Sequence, residues 1–281
     1  MPISAIDVIN FVLPKDFSSH CVARDLAYGD EGRQKLDLYA PRQHGAGPLP
    51  VVVFFYGGSW VTGNRQAYAF VGRALAALGY LVAVPDYRVV PQVEYPQFLE
   101  DCGRAVSWIG RNARRFGGDP DRIVLAGHSA GAYNAAMLAL NRSLIKDESV
   151  AEAIVGFAGL SGPYDFFPFD GPISMRVFGG VKQPKLTQPI NHVSRPVPNL
   201  WVATGGRDEL VLPRNSERLA AEAIAAGSIA TCARYEALGH AGTLLSLAWP
   251  LRWRAPVLRE MAEFLDRVFR KPAEIQAASL R

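Results

Sequence analysis

A serine flanked by glycines is the feature of this sequence with the clearest chemical meaning. The pentapeptide Gly127-His128-Ser129-Ala130-Gly131 lies between a short apolar run and an alanine-rich segment. This arrangement predicts a strand, a sharp turn and a helix, with the Ser129 hydroxyl raised at the apex of the turn. Glycine at both ends tolerates a strained backbone, and the helix N-terminus faces any negative charge that forms nearby. We therefore predict that Ser129 is a nucleophile.

A serine hydroxyl needs a general base within hydrogen-bond distance, because it is a weak nucleophile at neutral pH. Histidine suits this task, since its pKa lies near the working pH. His240 follows the last predicted strand in a glycine-bounded loop, at the sheet edge where such sites lie. The side chain of His128 should leave the turn in another direction, His20 and His44 precede the sheet, and His192 lies in an irregular segment. We predict His240 as the base.

The base needs an acceptor on its second nitrogen, which fixes the tautomer and stabilises the imidazolium. Asp208 follows a predicted strand over residues 199–204 and so projects from the same edge of the sheet as His240. Glu209 is the adjacent competitor, although the shorter side chain of Asp208 has a better-defined position. We predict Asp208 as the partner of the base and keep Glu209 as the alternative.

Backbone N–H groups at two places would stabilise the oxyanion that forms when a carbonyl is attacked. Gly57 and Gly58 follow the apolar run 51–56, and glycine there allows the backbone to approach a substrate. Ala130, directly after the nucleophile, would supply a further N–H group. Removing one such donor typically costs about 3–4 kcal/mol of transition-state stabilisation. We predict an oxyanion hole made by Gly57, Gly58 and Ala130.

Strand and helix patterns alternate along most of the chain. Two runs of alternating polarity, 22–28 and 34–39, predict an antiparallel β-hairpin. Further strands are predicted over 51–56, 80–84, 122–127, 153–160, 199–204 and 229–237, and helices over 67–78, 98–116, 130–140, 216–226 and 255–269. The repeated strand–helix units predict an α/β fold with a mostly parallel sheet and helices on both faces.

The chain, residues 1–281, is interpreted as one domain, because no internal repeat or linker divides it. Residues 1–20 are predicted to form an N-terminal arm and residues 271–281 a frayed tail. Residues 161–197 are rich in proline, glycine and phenylalanine without a clean period, which predicts a lid over the site or an unrecognised helix. Four of its residues favour an apolar pocket wall, with ordinary packing as the alternative: Phe166, Phe167, Phe169 and Phe178.

The composition is typical of a globular protein, with 49% hydrophobic and 20% charged residues. The net charge of +4 is small for this length, and the scattered basic residues do not indicate nucleic-acid binding. With no signal-peptide pattern and no apolar run of membrane-spanning length, we expect no membrane association and a cytoplasmic location. Three widely separated cysteines indicate free thiols in a reducing compartment: Cys21, Cys102 and Cys232.

No motif for a metal or an organic cofactor is present in the sequence. There is no His-Glu-x-x-His, no Walker glycine pattern and no dinucleotide-binding fingerprint. We therefore expect cofactor-independent chemistry on a small-molecule substrate. The sequence leaves open whether the chain is a monomer or a homodimer.

Several segments in a fixed order give the chain a family resemblance. They are Tyr56-Gly57-Gly58-Ser59-Trp60, Pro85-Asp86-Tyr87-Arg88, residues 117–123, the serine turn, residues 205–211 and Leu238-Gly239-His240-Ala241-Gly242. Together they resemble the α/β-hydrolases of the esterase and lipase group, which includes hormone-sensitive-lipase-like carboxylesterases and kynurenine formamidases. The resemblance implies an α/β-hydrolase fold with the catalytic order serine, aspartate, histidine along the chain.

The first of these motifs departs from the family pattern. Tyr56 stands where the family has histidine, and Ser59 stands where many members have a third glycine. The family histidine holds the loop and is not the base, so we expect the Tyr56 phenol to take over this scaffold role. Asp86-Tyr87-Arg88 is expected to orient the loop that begins at Gly57 and Gly58, called the oxyanion loop below. Weaker substrate contacts are predicted for Trp60, Tyr56 and His128.

The combined pattern predicts a serine hydrolase of carboxylic esters with small to medium acyl or aryl groups. Ser129 would form an acyl-enzyme, with His240 acting as base and then as acid. An amidase resembling kynurenine formamidase is the main alternative, since the triad does not separate esters from amides and Trp60 is placed to stack on an aromatic substrate. A non-catalytic ligand-binding homologue is a further alternative, although such proteins usually lack part of the triad.

Overall fold

An eight-stranded sheet forms the centre of the molecule. The computed structural model describes residues 5–194 and 197–270. The strands are β1 Ser19–Ala27, β2 Lys35–Pro41, β3 Leu49–Phe55, β4 Leu81–Pro85, β5 Gly118–His128, β6 Ile154–Leu160, β7 Asn199–Gly205 and β8 Ala230–Tyr235. Their order in the sheet is β1-β2-β4-β3-β5-β6-β7-β8. The pairs β1–β2 and β2–β4 are antiparallel and all the others are parallel, which confirms the predicted α/β fold.

Helices connect most of these strands. The α-helices among the described residues are α1 Ala5–Val12, α2 Ala69–Ala76, α3 Gln97–Asn112, α4 Ala130–Leu140, α5 Glu148–Glu152, α6 Pro172–Phe178, α7 Arg214–Ala225, α8 His240–Leu245 and α9 Val257–Phe269. The predicted helices correspond to α2, α3, α4, α7 and α9, with their ends shifted by a few residues. The helices α1, α5, α6 and α8 are missing from the prediction, because with eight residues or fewer they are too short to show a helical period.

The middle of the sheet is buried on both faces. Residues 51–55 of β3 are inaccessible to solvent, as their continuous β-branched and aromatic sequence predicts. The amphipathic helix α9 packs against β6 and β7 through its apolar side, which includes Met261, Phe264 and Leu265. One hydrophobic core therefore extends from the sheet into the helices around it.

The register of the sheet brings the ends of several strands to one edge. Phe55 in β3 lies opposite Gly127 in β5, His128 lies opposite Leu160 in β6, and Leu160 lies opposite Ala203 in β7. Because these strands are parallel, the loops at their carboxyl ends meet at the same edge. This edge collects the residues that the sequence marks as reactive.

Two peripheral segments complete the described structure. In the predicted N-terminal arm, α1 lies near the start of α2, and its Asn10 side chain hydrogen-bonds to backbone groups there. The predicted insertion, residues 161–197, contains α6 and two 3₁₀ turns, 184–187 and 189–192, so an unrecognised helix does lie within it. The predicted tail, residues 271–281, lies outside the described residues.

Candidate active site

The turn between β5 and α4 holds Ser129 in a strained backbone conformation. Its φ of 54° and ψ of −125° lie where few residues other than glycine are found. A Cβ on Gly127 would lie 2.5 Å from backbone atoms of Gly131, and a Cβ on Gly131 would lie 2.1 Å from the carbonyl oxygen of Phe55. Both glycines are therefore required by close backbone contacts. The Ser129 N–H donates to the Leu160 carbonyl at 2.9 Å, which fixes the turn against β6.

The three side chains predicted to act together form one hydrogen-bonded chain. The Ser129 Oγ lies 2.9 Å from the His240 Nε2, and the His240 Nδ1–H donates to Asp208 Oδ2 at 2.8 Å. Ser129 follows β5, Asp208 follows β7, and His240 begins α8. Glu209, the alternative acid, is exposed. This geometry allows proton transfer from the serine to an imidazole whose other nitrogen is held by a carboxylate.

Asp208 is buried, yet its hydrogen bonds hold it as a carboxylate. Burial alone raises the pKa of Asp208, but hydrogen bonds from His240 and from the Val211 and Leu210 backbone outweigh it. The N–H groups of Leu210 and Val211 lie 3.1 Å and 2.8 Å from Oδ1. The pKa of Asp208 is therefore lowered from its ordinary value. A charged acceptor faces His240 at neutral pH.

The loop after β3 differs from the predicted oxyanion hole in one donor. The N–H of Gly57, predicted to face the substrate, donates instead to the buried Tyr68 hydroxyl at 3.3 Å. The N–H groups of Gly58, Ser59 and Ala130 have no acceptor within the part of the chain that the structure describes. Ser59 and Ala130 line the same cleft as the nucleophile. The sequence does not single out Ser59, because a serine stands there in place of glycine, although its φ of 54° is a glycine-like conformation.

Tyr56 is fully buried and does not reach the cleft. Its ring stacks on Tyr87 with centroids 4.9 Å apart, and its hydroxyl accepts a hydrogen bond from Arg33 Nη2 at 2.9 Å. Arg33 also donates to the carbonyl oxygens of Gly63 and Tyr87, at 2.6 Å and 2.8 Å. The Tyr87 hydroxyl donates to the Tyr56 carbonyl at 2.8 Å. The structure thus contradicts substrate contact by Tyr56, and its phenol holds the loop through Arg33 and not by bonding the backbone itself.

A buried cation anchors the other end of the same loop. The guanidinium of Arg65 forms ion pairs with Asp25, Asp37 and Asp86, with 2.9 Å between Nε and Asp37 Oδ1. The Arg65 N–H donates to Asp86 Oδ1 at 2.7 Å. Buried charges are stable only when they are paired. Asp86 and Tyr87, from the motif expected to orient the oxyanion loop, therefore hold it at both ends.

Ser129 lines a cleft of about 370 Å³. One wall is the oxyanion loop, and the other comes from residues 161–197 and the loop after Asp208. The apolar residues that line the cleft include Trp60, Pro163, Phe166, Ile173, Leu210 and Val211. An acyl or aryl group attached to the attacked carbonyl would be buried against these side chains.

Trp60 lines this cleft, where the sequence predicts a substrate contact. Its indole N–H donates to Asn134 Oδ1 at 3.1 Å, which fixes the orientation of the ring. Of the four phenylalanines expected in the pocket wall, Phe166 lines the cleft, whereas Phe178 is buried edge-on behind Trp60 with ring centroids 4.9 Å apart. Phe167 is exposed, and Phe169 is half-buried and stacks on Phe178 with ring centroids 5.7 Å apart.

His128 lies behind the nucleophile and outside the cleft. It is 3% exposed, and its Nε2–H donates to the carbonyl oxygen of His240 at 3.2 Å. Burial, and then the neighbouring His240, lower the pKa of His128 to about 3, so its imidazole is neutral. The structure therefore contradicts the predicted substrate contact by His128. The side chain leaves the turn away from the hydroxyl, toward the base.

Within residues 5–194 and 197–270, no group of three or more histidine, cysteine or acidic side chains is placed to hold a metal ion. No helix in these two ranges combines the length and the apolar character needed to cross a bilayer. The three cysteines are free thiols, with Cys102 buried and the other two partly exposed.

The sequence matches a known protein family over much of its length. The model of the BD-FAE family matches residues 36–223, which is more than half of the chain. The chain belongs to the BD-FAE family. The matched region includes the oxyanion loop, Ser129 and Asp208 and ends before His240.

Among curated proteins, this BD-FAE chain is similar to esterases. It is 39% identical to isoprenylcysteine alpha-carbonyl methylesterase ICME of Arabidopsis thaliana over 156 residues, which are 54% of this chain and 36% of that protein. It is 30% identical to esterase LipC of Mycobacterium tuberculosis over 273 residues, 89% of this chain and 66% of LipC. The chain therefore spans little more than a third of the length of the first relative.

A solved structure has the same fold. The crystal structure of inhibited esterase B from Lactobacillus rhamnosis matches with a TM-score of 0.81 and 19% identity, covering 99% of this chain and 95% of that one. At this identity the match shows a shared fold. Family and fold together confirm the resemblance to α/β-hydrolase serine esterases of the hormone-sensitive-lipase-like group.

Proposed function

We propose that this BD-FAE chain hydrolyses carboxylic esters through an acyl-enzyme on Ser129. The observation that carries the proposal is the hydrogen-bonded chain from Asp208 through His240 to Ser129, which ends in an apolar cleft. The relatives named above are esterases, which supports the same class of reaction here.

In the first half of the reaction, Ser129 attacks the ester carbonyl while His240 Nε2 removes the hydroxyl proton. Asp208 keeps the other imidazole nitrogen protonated and stabilises the imidazolium. The N–H groups of Gly58, Ser59 and Ala130 stabilise the oxyanion, because they are unpaired in the free enzyme and need no rearrangement. His240 then donates its proton to the leaving alcohol.

In the second half, water replaces the alcohol. His240 takes a proton from the water as it attacks the acyl-enzyme, and the same oxyanion donors stabilise the second tetrahedral intermediate. Ser129 leaves with the proton held by His240, which releases the carboxylic acid and restores the starting state. No step requires a metal or an organic cofactor.

The cleft favours small or medium uncharged acyl or aryl groups. Its volume of about 370 Å³ lies at the lower end for ligand sites, and its lining is mainly apolar. A longer chain would extend past the exposed side chains of Ile173 and Leu210 into solvent. We therefore propose esters of short and medium chain length as the preferred substrates.

Replacing the nucleophile tests the proposal. We expect Ser129→Ala to lower turnover of p-nitrophenyl butyrate by about 10³-fold or more and to abolish fluorophosphonate labelling, with an unchanged circular dichroism spectrum. The matched control is Ser107→Ala, since Ser107 is a buried serine whose hydroxyl bonds only within α3 in the described structure. The control should keep full activity.

The same assay separates the alternatives. Full turnover by Ser129→Ala would refute the proposed mechanism, and binding of esters without labelling or turnover by the native protein would support a ligand-binding homologue. Faster turnover of N-formylkynurenine than of aryl acetates by the native protein would favour the amidase alternative.

A further inference from the structure

We infer that His128 is a positioning residue that holds the nucleophile turn, the base and the oxyanion loop as one unit. The inference rests on the proposed function, because it concerns how Ser129 and His240 are kept in register. His128 precedes the nucleophile in the chain, hydrogen-bonds to the backbone of the base and packs against Gly57.

The contact with the base is a hydrogen bond to its backbone. The Nε2 atom of His128 lies 3.2 Å from the carbonyl oxygen of His240. A carbonyl oxygen only accepts, so Nε2 must carry the hydrogen. His240 is the first residue of α8, and a longer hydrogen bond of 3.4 Å from Thr243 Oγ1 reaches the same carbonyl. His128 thus fixes the backbone from which the imidazole of the base projects.

The contact with the oxyanion loop is steric. A Cβ on Gly57 would lie 3.1 Å from His128 Nδ1, 3.0 Å from the His128 carbonyl oxygen and 3.0 Å from Ser129 Cβ. These distances are shorter than ordinary contacts of a Cβ atom, so the loop lies directly on the nucleophile turn. Any displacement of the His128 ring would also displace the loop that carries the proposed oxyanion donors.

His128 performs this role only as a neutral imidazole. Its Nδ1 atom is buried and has no hydrogen-bond partner among the described residues, so a second proton would have no acceptor. The ionisable groups that face it are His240, whose ring centroid is 5.0 Å away, and Asp208. His240 becomes a cation during each attack, and a second cation beside it would oppose proton transfer. During the attack, His240 is therefore charged and the adjacent ring of His128 stays neutral.

Two substitutions at this position test the inference. We expect His128→Met, which cannot donate, to lower kcat for p-nitrophenyl butyrate by about 10- to 100-fold and to leave KM within about threefold, since substrate binding is untouched while the base is displaced. His128→Gln keeps a donor near the His240 carbonyl and should retain kcat within about fivefold. The control is His20→Gln. His20 lies in the edge strand β1, and its Nδ1 is likewise buried and unpaired in the described structure.

The pH profile gives a readout that packing alone would not change. If His128 stays neutral, the acid limb of log kcat/KM falls with a slope of one proton in the native enzyme and in His128→Gln. A two-proton slope in the native enzyme, together with a one-proton slope in His128→Gln, would overturn the inference. This test does not depend on whether His128→Met folds. Unchanged kcat in a folded His128→Met would also overturn it.

These outcomes are distinct from failure of the proposed function. Full turnover by Ser129→Ala would remove the proposed function itself. An inactive Ser129→Ala together with a fully active His128→Met would leave the proposed function intact and refute only the role of His128.

Discussion

The two walls of the cleft are built from different kinds of contact. The oxyanion-loop wall is held by buried or half-buried charged and polar side chains, with Arg33 bound to Tyr56 and Arg65 bound to carboxylates. The opposite wall, in the described residues 161–194, is anchored mainly by uncharged polar groups, besides the ion pair of Asp165 with Arg218. One of these is the Gln188 side chain, which accepts the Phe166 N–H at 2.6 Å. Several of its apolar side chains are exposed.

This difference separates two tasks of the site. Stabilising an oxyanion requires donors that do not move when charge develops, and a network of buried ion pairs fixes their backbone. Accepting an acyl chain requires only apolar area of suitable shape, for which exact polar geometry is unnecessary. The polar wall should therefore control stability and rate, whereas the apolar wall should control chain-length preference.

The largest effect is expected for Arg65→Met. Removing the buried guanidinium leaves Asp37 and Asp86 buried without their cation, which should lower the free energy of unfolding by about 3–5 kcal/mol. Urea denaturation measures this loss. The control is Arg114→Met, which breaks an exposed ion pair with Asp121 and should cost about 0–1 kcal/mol. Equal losses of unfolding free energy in the two variants would mean that the buried ion pairs of Arg65 stabilise the protein no more than an exposed pair. That result would contradict the role given to the polar wall.

A smaller and more selective effect is expected for Phe166→Ala. Loss of this ring should lower kcat/KM for p-nitrophenyl hexanoate by about tenfold, or about 1.4 kcal/mol, because apolar contact area for the acyl chain is lost. Turnover of the acetate, whose acyl group has little apolar area to bury, should change by less than about threefold. The neighbouring Phe167→Ala is the control, since Phe167 does not line the cleft. A loss of equal size for both esters would mean that Phe166 supports the reacting groups themselves.

The smallest effect is expected for Tyr56→Phe. The change removes one hydrogen bond from Arg33, which keeps its bonds to the carbonyl oxygens of Gly63 and Tyr87. We expect a loss of about 1 kcal/mol in the free energy of unfolding and a decrease in kcat of less than about threefold. Tyr95→Phe, whose hydroxyl makes a long bond of 3.4 Å near the surface, is the control. A collapse of activity like that of Ser129→Ala would contradict a scaffold role for Tyr56.

Much of the fold was predictable because its signals are local. The continuous apolar run of β3 reflects burial of both faces of the strand. Apolar residues spaced three and four positions apart in α3 and α9 reflect burial of one face of each helix. Helix α3 also shows the limit of such reasoning. Asp101 is an acid near the start of α3, yet it is fully buried and paired with Arg88 at 2.8 Å. The pairing joins residues that no local pattern connects.

That the three side chains of the proposed triad lie together was easier to predict than the contacts of the groups around them. Ser129, Asp208 and His240 each follow a strand at one sheet edge, so chain order and topology together bring them near one another. Which backbone N–H groups remain unpaired depends on tertiary contacts such as the Tyr68 hydroxyl on Gly57. Such contacts leave no mark in the neighbouring sequence, and the same holds for the burial of His128.

The order of the strands has a consequence for when activity can arise during synthesis. The nucleophile turn and the oxyanion loop follow β5 and β3, neighbours in the sheet, and both are translated in the first half of the chain. His240 follows β8, the last strand to emerge and the outermost at its edge of the sheet. A nascent chain that has emerged only as far as α4 therefore contains the sequences of the turn and the loop but not the base. Under the proposed mechanism, hydrolysis requires β8 to join β7 and α8 to reach the turn, so a chain that stops short of residue 240 is expected to lack esterase activity.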